Sequence, residues 1–161
     1  MQLAVTADNV IDVYHEGQVV LSNNNWGRTS TVNLANPCVL AFKATDTGLN
    51  EGILASTSTG VVTDGTWRCS AALEPNWHTY AFDDSAWSQA RVVGQHGVAP
   101  WGSRPQISSS AKWIWAQGSN GGTVYCRKRL CAGKKPLLSL YEFNFVVCAE
   151  QLNVEYIMFF N

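Results

Sequence analysis

Short extended segments separated by turn-forming residues dominate this sequence. Stretches rich in β-branched and aromatic residues, such as 38–44, 53–57 and 123–130, alternate with clusters of glycine, proline, asparagine and aspartate. No helical period runs longer than two turns. Segments of this length with this punctuation are typical of strands in an antiparallel β-sandwich. The sequence therefore predicts an all-β fold of two packed sheets.

Length and charge narrow the class of protein further. At 161 residues, the chain has the length of one domain. Its 11 basic and 12 acidic residues are scattered and give a formal net charge of −1, so we expect no nucleic-acid partner. No apolar run of about 20 residues is free of charge, so we expect no membrane span.

The sequence changes character after Lys135. Residues 136–161 contain no tryptophan or glycine, and apolar side chains alternate along 141–147 and 152–160. Such alternation predicts a hairpin, which either completes the sandwich or is foreign to it. We therefore divide the chain into a β-sandwich domain at 1–135 and a C-terminal hydrophobic hairpin or appended tail at 136–161. Because residues 2–6 alternate like a strand and lack the features of a signal peptide, we expect the chain to start inside a domain.

Five cysteines, an odd number, leave the disulfide state open. They form no C-x-x-C pair, which disfavours a zinc site or a thioredoxin-like redox motif. Buried free thiols and one or two disulfides fit the pattern equally well. If one disulfide forms, we expect it to join Cys69 and Cys126, because each lies within a predicted strand.

Seven tryptophans, all between Trp26 and Trp115, are a high number for a chain of this length. Full burial of each side chain contributes about 4 to 6 kcal/mol before entropy is subtracted. Most of them must therefore form core, and only a minority is available for a ligand.

The most conspicuous acidic motif is Phe82-Asp83-Asp84-Ser85-Ala86-Trp87. Either aspartate can accept backbone N–H groups two or three residues further on, so we expect a capped helical turn that folds Trp87 inward. Glycoside hydrolysis needs two carboxyl groups about 5 to 9 Å apart across the sugar, whereas neighbouring residues on a cap point in different directions. No G-x-S-x-G motif is present either. We predict a structural corner and no enzymatic activity.

The basic run Arg127-Lys128-Arg129, followed by Lys134 and Lys135, is short and lies beside apolar segments. Charged residues commonly protect the edge of a sheet from pairing with another chain. We interpret the run as a solvated strand edge rather than as a phosphate-binding patch.

Several blocks, taken in order, resemble the galactose-binding-like jelly-roll domains that accompany glycoside hydrolases and occur in extracellular proteins. The blocks are ADNVIDVY at 7–14 with Gly17, VLAFKA at 39–44 with Gly48 and Gly52, TDGTWR at 63–68, and FDDSAW at 82–87 with Ala90. The resemblance covers about residues 3–130 and implies a jelly-roll sandwich in which the acidic pair is a structural corner. The chain departs from the family at His15-Glu16-Gly17, which replaces the usual Asn-Gly turn. Residues 111–115 also resemble an opening strand as much as a closing one.

Loops at one end of a rigid sandwich are where such folds hold ligands. The loop at 23–28 combines amide groups, an aromatic ring and a guanidinium, which suit the hydroxyls and the C–H face of a sugar. Trp77 with His78, and Trp101 with Arg104, offer the same combination. For any single tryptophan, the alternative is a core or loop anchor. The predicted ligand-binding residues are Asn24, Asn25, Trp26, Arg28, Trp77, His78, Trp101 and Arg104.

These observations predict a non-catalytic, lectin-like module, extracellular or at the cell surface, whose partner is a carbohydrate or glycoprotein. One alternative is a structural or adhesive repeat that contacts neighbouring repeats of a larger chain; another is a fragment of a glycoside hydrolase accessory domain. We expect no cofactor and no metal. A structural calcium, as in some relatives of the fold, is the alternative, but the available carboxylates lack the interleaved spacing of a calcium loop; they are Asp8, Asp12, Asp46 and Asp64. Several tryptophans exposed at a common end would support binding.

Overall fold

The computed structural model describes residues 1–131, which form two antiparallel β-sheets packed face to face. This part of the chain contains no helix, and its strands are β1 (Gln2–Asp8), β2 (Val10–His15), β3 (Gln18–Asn23), β4 (Ser30–Asn33), β5 (Val39–Asp46), β6 (Gly52–Thr57), β7 (Arg68–Ser70), β8 (Ser88–Gln89), β9 (Arg91–Gln95), β10 (Lys112–Trp115) and β11 (Gly122–Arg129). One sheet has the order β4-β1-β6-β10-β9, and the other has the order β3-β2-β5-β11-β7-β8. The predicted all-β sandwich is confirmed, and the architecture is compatible with a jelly-roll-like fold.

The first two strands belong to different sheets. β1 pairs with β4 and β6, whereas β2 pairs with β3 and β5. The chain changes sheet at Asp8 and Asn9, where the Asn9 N–H donates to the carbonyl of Thr45 (2.9 Å). The interruption of the extended run at these two residues is thus the corner that starts the sandwich.

The turn between β2 and β3 has the geometry that its sequence predicts. His15 pairs with Gln18, so only Glu16 and Gly17 form the turn, with φ values of 48° and 82°. Two consecutive positive φ values are typical of the tight turns that match the twist of a hairpin. Glycine at the second position tolerates this conformation without steric cost.

The main core lies between the sheets and includes Phe42 stacked on Trp67 (4.9 Å between ring centres). The outer face of each sheet is also covered. The segment 96–111 packs on the five-stranded sheet through Trp101 and Trp113, and the segment 71–87 packs on the six-stranded sheet through Trp77 and Trp87. Six of the seven tryptophans are therefore buried, as predicted, with exposures of 6% or less.

Two disulfides join the strands and their ends. The predicted bridge between Cys69 and Cys126 is confirmed; it connects paired residues of β7 and β11. A second bridge, whose pairing was not predicted, joins Cys38 to Cys131 just beyond the paired strands β5 and β11. Because structural disulfides persist in oxidising compartments, the two bridges indicate a non-cytosolic protein.

Two sequence-based expectations concern residues that lie outside the described part of the chain. These are the hairpin or tail predicted at 136–161 and the domain boundary placed at residue 135. Within residues 1–131, no helix is long and apolar enough to cross a membrane.

Candidate functional site at the Trp26 end

The loops of the sandwich form two ends. The first, which we call the Trp26 end, contains the corner at 8–9, the β3–β4 loop at 24–29 and the β5–β6 loop at 47–51. The second, the Trp77 end, contains the turn at 16–17 and receives part of the segment 71–87. Antiparallel strands β2 and β3 run from one end to the other and back, so the two ends are separated by the length of a strand.

Trp26 is the one tryptophan with an exposed ring; 38% of its surface is accessible. Its carbonyl oxygen accepts hydrogen bonds from the Thr6 hydroxyl (3.0 Å) and from Nη2 of Arg104 (3.2 Å). The Arg104 guanidinium also lies 5.5 Å from the centre of the Trp26 ring, within the range of a cation–π contact. The segment 96–111 therefore holds this ring in place from the neighbouring sheet.

Asparagine side chains fold the loop that carries Trp26. Nδ2 of Asn23 donates to the carbonyl of Arg28 (2.8 Å), and Oδ1 of Asn23 accepts from the N–H of Asn25 (2.9 Å). Oδ1 of Asn25 then accepts from the N–H of Gly27 (3.0 Å). Asn23, absent from the predicted site, thus shapes the loop, whereas Asn24 and Asn25 remain exposed. The position of Asn23 at the end of a predicted strand, before two further asparagines, could have predicted a loop held together by amide hydrogen bonds.

An open cleft of about 640 Å³ lies beside this loop, between β3 and β4, which are edge strands of the two sheets. Its polar groups are a guanidinium, an amide and three hydroxyls, and it is lined by Leu21, Arg28, Thr29, Ser30, Thr31 and Gln106. Volumes of this size are typical of sites for small organic ligands. The fold places Arg28 and Gln106 on the same cleft, although they lie far apart in sequence.

Trp101 also reaches the Trp26 end, but as a buried support. Its ring is 6% exposed and stacks on Trp113, with 4.4 Å between the ring centres. Its indole N–H donates to Oδ2 of Asp8 (2.9 Å). Burial raises the pKa of Asp8, the Trp101 hydrogen bond opposes that rise, and the charge of Asp46 adds to it. Because the ring is covered, we leave Trp101 out of the candidate site.

Trp77 and His78 lie at the opposite end. Trp77 is 3% exposed and makes edge-to-face contacts with Tyr14 (5.2 Å) and Tyr125 (5.0 Å). His78 packs against Tyr14 and the turn at Gly17, and burial, followed by the charge of Arg127, lowers its pKa. Trp77 is thus a core anchor, the alternative considered for each tryptophan, because its segment folds back over the outer face of the six-stranded sheet.

The acidic motif forms a tight turn rather than a helical one. The N–H of Trp87 donates to the carbonyl of Asp84 (3.0 Å), and Oδ1 of Asp83 accepts from the N–H of Ser85 (2.9 Å). The hydrogen bonds from Ser85 lower the pKa of Asp83. Trp87 is buried as predicted, although on the outer face of the sheet.

Asp84 anchors this turn to β11. Its Oδ2 lies 2.5 Å from Nη1 of Arg127, and its Oδ1 lies 3.5 Å from Nε of Arg129. Arg127 is fully buried, and its other contacts are the carbonyls of Phe82 (3.1 Å) and Thr79 (2.7 Å). For Arg127-Lys128-Arg129, the interpretation as a solvated strand edge is wrong, because β11 lies between β5 and β7 and Asp84 neutralises the buried guanidinium. Lys134 and Lys135 lie outside the described residues.

Of the aspartates considered for a structural calcium, Asp12 and Asp64 are engaged separately. Asp12 lies 3.8 Å from Lys43 and accepts a hydrogen bond from Ser22 (2.6 Å), while Asp64 accepts the N–H of Thr66 (2.8 Å). In the described residues, no group of three or more histidine, cysteine or acidic side chains could hold a metal ion.

Comparison with known proteins finds no family model, no curated protein and no solved structure that matches this chain. The assignment of a sandwich therefore rests on the structure alone. The likeness to the galactose-binding-like family rests only on short blocks of sequence.

Proposed function

We propose that the protein is a non-catalytic module that binds carbohydrate at the Trp26 end, outside the cell or at its surface. The observation that carries this proposal is the exposed Trp26 ring in a hydrogen-bonded loop beside a polar cleft. The site consists of Asn24, Asn25, Trp26, Arg28 and Arg104, five of the eight residues singled out from the sequence.

The chemistry of these groups suits a sugar. An indole ring can pack on the apolar C–H face of a pyranose, while guanidinium, amide and hydroxyl groups can pair with its hydroxyls. The internal hydrogen bonds of the loop reduce the ordering cost of binding, since the loop is already fixed. One stacked ring and a few hydrogen bonds can supply about −4 kcal/mol, which corresponds to millimolar affinity.

A glycan array followed by calorimetric titration tests the proposal. We expect Trp26→Ala to abolish detectable binding, because it removes the stacking surface while most of the loop's hydrogen bonds involve backbone or asparagine atoms. Leu73→Ala is the matched control, since Leu73 is 67% exposed and lies in the segment that covers the other sheet. Sugar binding that persists unchanged in Trp26→Ala would overturn the site.

A second candidate function is an adhesive repeat that contacts a neighbouring protein. Val19 (49% exposed) and Val20 (38% exposed) present apolar surface on the edge strand β3, and exposed apolar edges are ready to pair with another chain. Concentration-dependent self-association, measured by sedimentation and abolished by Val20→Lys, would favour this function. Sedimentation as a monomer at all concentrations would count against a homotypic repeat.

A further inference from the structure

A second polar pocket lies on the side of the six-stranded sheet where the acidic turn meets β7 and β11. It has a volume of about 190 Å³ and is lined by Thr66, Arg68, Asp84, Arg127, Lys128 and Arg129. We call it the arginine pocket. Its lining combines four cationic side chains with one carboxylate, and the charge of the nearby Asp83 also acts on Arg127 and Arg129, so positive charge remains in excess.

Asp84, the carboxylate that lines the pocket, forms ion pairs with two of these four cations and not with the other two. Asp84 pairs with Arg127 and Arg129. Arg68 donates Nη1 to the carbonyl of Trp87 (2.8 Å), and Lys128 donates Nζ to the hydroxyl of Thr66 (2.5 Å); among residues 1–131, neither cation forms an ion pair. Two cations are thus held in place by neutral oxygen atoms.

Arg127 is held by the protein itself. Its side chain is fully buried and lines the pocket, and its guanidinium contacts Asp84 and the carbonyls of Phe82 and Thr79. The cations left for a ligand are therefore Arg68 and Lys128, whose charges are not paired with a carboxylate in the described part of the chain. A negatively charged ligand would supply the counter-charge that these two groups lack.

We propose that the arginine pocket binds a sulfate or phosphate group. A divalent tetrahedral oxyanion matches this excess of positive charge better than a single carboxylate does, and it offers acceptors in several directions. Guanidinium groups bind such anions through paired, charge-assisted hydrogen bonds. The pocket is distinct from the Trp26 end, so this inference does not depend on the proposed sugar site.

Calorimetric titration of the full chain with inorganic sulfate and inorganic phosphate tests the inference, with sodium chloride at equal ionic strength as the reference. We expect saturable binding at low millimolar concentration or below. Saturation matters, because sulfate at high concentration stabilises proteins generally by exclusion from their surface. A second titration distinguishes a sugar ester from the free ion. It uses a sulfated monosaccharide and its unsulfated parent, each titrated into Trp26→Ala. Tighter binding of the sulfated sugar than of inorganic sulfate identifies the ester as the ligand.

Arg68→Gln and Lys128→Gln should each weaken sulfate binding by about tenfold or more, the typical effect of losing a charged hydrogen bond. Lys128 is half-exposed and donates only to Thr66 among the described residues, so its variant should fold even if Arg68→Gln does not. Lys112→Gln, on the five-stranded sheet, is the control and should bind sulfate like the parent. The inference would be overturned if no saturable binding were found, or if Lys112→Gln weakened binding as much as the pocket variants do. Binding would also be absent if a carboxylate of the chain itself already occupied the pocket.

Discussion

The Trp26 end and the Trp77 end use the same residue types in opposite ways. Each places an arginine over an aromatic ring: Arg104 over Trp26 at 5.5 Å and Arg127 over Phe82 at 5.3 Å. Trp26 is exposed, whereas Arg127 and the neighbouring Trp77 are buried.

Loop length accounts for much of this difference. Only residues 24–29 connect β3 to β4, too few to fold back across a sheet, and so Trp26 remains outside. Residues 71–87 connect β7 to β8, and this longer segment covers the six-stranded sheet with Trp77 and Trp87. A tryptophan in a polar loop therefore indicates a binding surface only when the loop has no sheet face within its reach.

Alanine substitution of the two tryptophans should give the largest contrast. Trp77→Ala removes a buried ring and should destabilise the fold by about 3 to 5 kcal/mol. Trp26→Ala removes an exposed ring, and we expect a loss of about 1 kcal/mol or less, chiefly from the contact with Arg104. Denaturant unfolding measures both. Equal losses would mean that the Trp26 ring is as important to the fold as the Trp77 ring.

Substitution of the two adjacent aspartates should give a second, smaller contrast. Asp84→Ala leaves the buried Arg127 without its counter-charge, and we expect a loss of about 3 kcal/mol. Asp83→Ala removes only exposed hydrogen bonds from Ser85, so we expect a clearly smaller loss than in Asp84→Ala. Unfolding curves of the two variants check this order. A larger loss in Asp83→Ala would show that the turn, rather than the ion pair, anchors the motif.

Much of the fold could be predicted because it depends on local chemistry. Gly17 and its neighbours specify a tight turn, Asp8 and Asn9 interrupt an extended run, and Cys69 and Cys126 lie in strands that pair. The burial of Arg127 could not be predicted in the same way. Its partners are Asp84 and the carbonyl of Thr79, which precede it by 43 and 48 residues, and no period or spacing in the sequence reports such a contact.

The candidate site could be predicted only in part, because some of its contacts also join residues that are far apart in sequence. The residues of the loop at 24–29 lie together because they are adjacent in sequence. Arg104 reaches Trp26 across 78 residues, and its inclusion rested on a nearby tryptophan that is in fact buried. The second disulfide escaped prediction because Cys131 follows the end of its strand, where nothing local distinguishes it from a free thiol.

The two ends should also respond oppositely to pH, and His78 reports on the Trp77 end. Its pKa is lowered from 6.5 in the folded state, so below about pH 6.5 the unfolded chain binds a proton more readily than the folded one. Stability should therefore fall as the pH decreases from 6.5 toward the folded pKa. Stability curves of His78→Gln should lack this component, while His15→Gln, at the nearby turn, is the control. An unchanged acid dependence in His78→Gln would contradict the assignment.

Asp8 should give the smallest effect, with the opposite sign, at the Trp26 end. Its pKa is raised above 3.8 in the folded state, so between 3.8 and the folded pKa the folded chain holds the extra proton, and its contribution to stability is lost as the pH rises. Asp8→Asn keeps an oxygen that can accept the Trp101 N–H and removes a buried charge near Asp46. We therefore expect this variant to be at least as stable as the parent at neutral pH, with the gain vanishing near pH 4. Asp12→Asn, whose carboxylate is paired with Lys43 on the other sheet, serves as the control. A loss of stability in Asp8→Asn at neutral pH would show that the carboxylate's hydrogen bonds to Trp101 and Asn9 outweigh the cost of burying its charge.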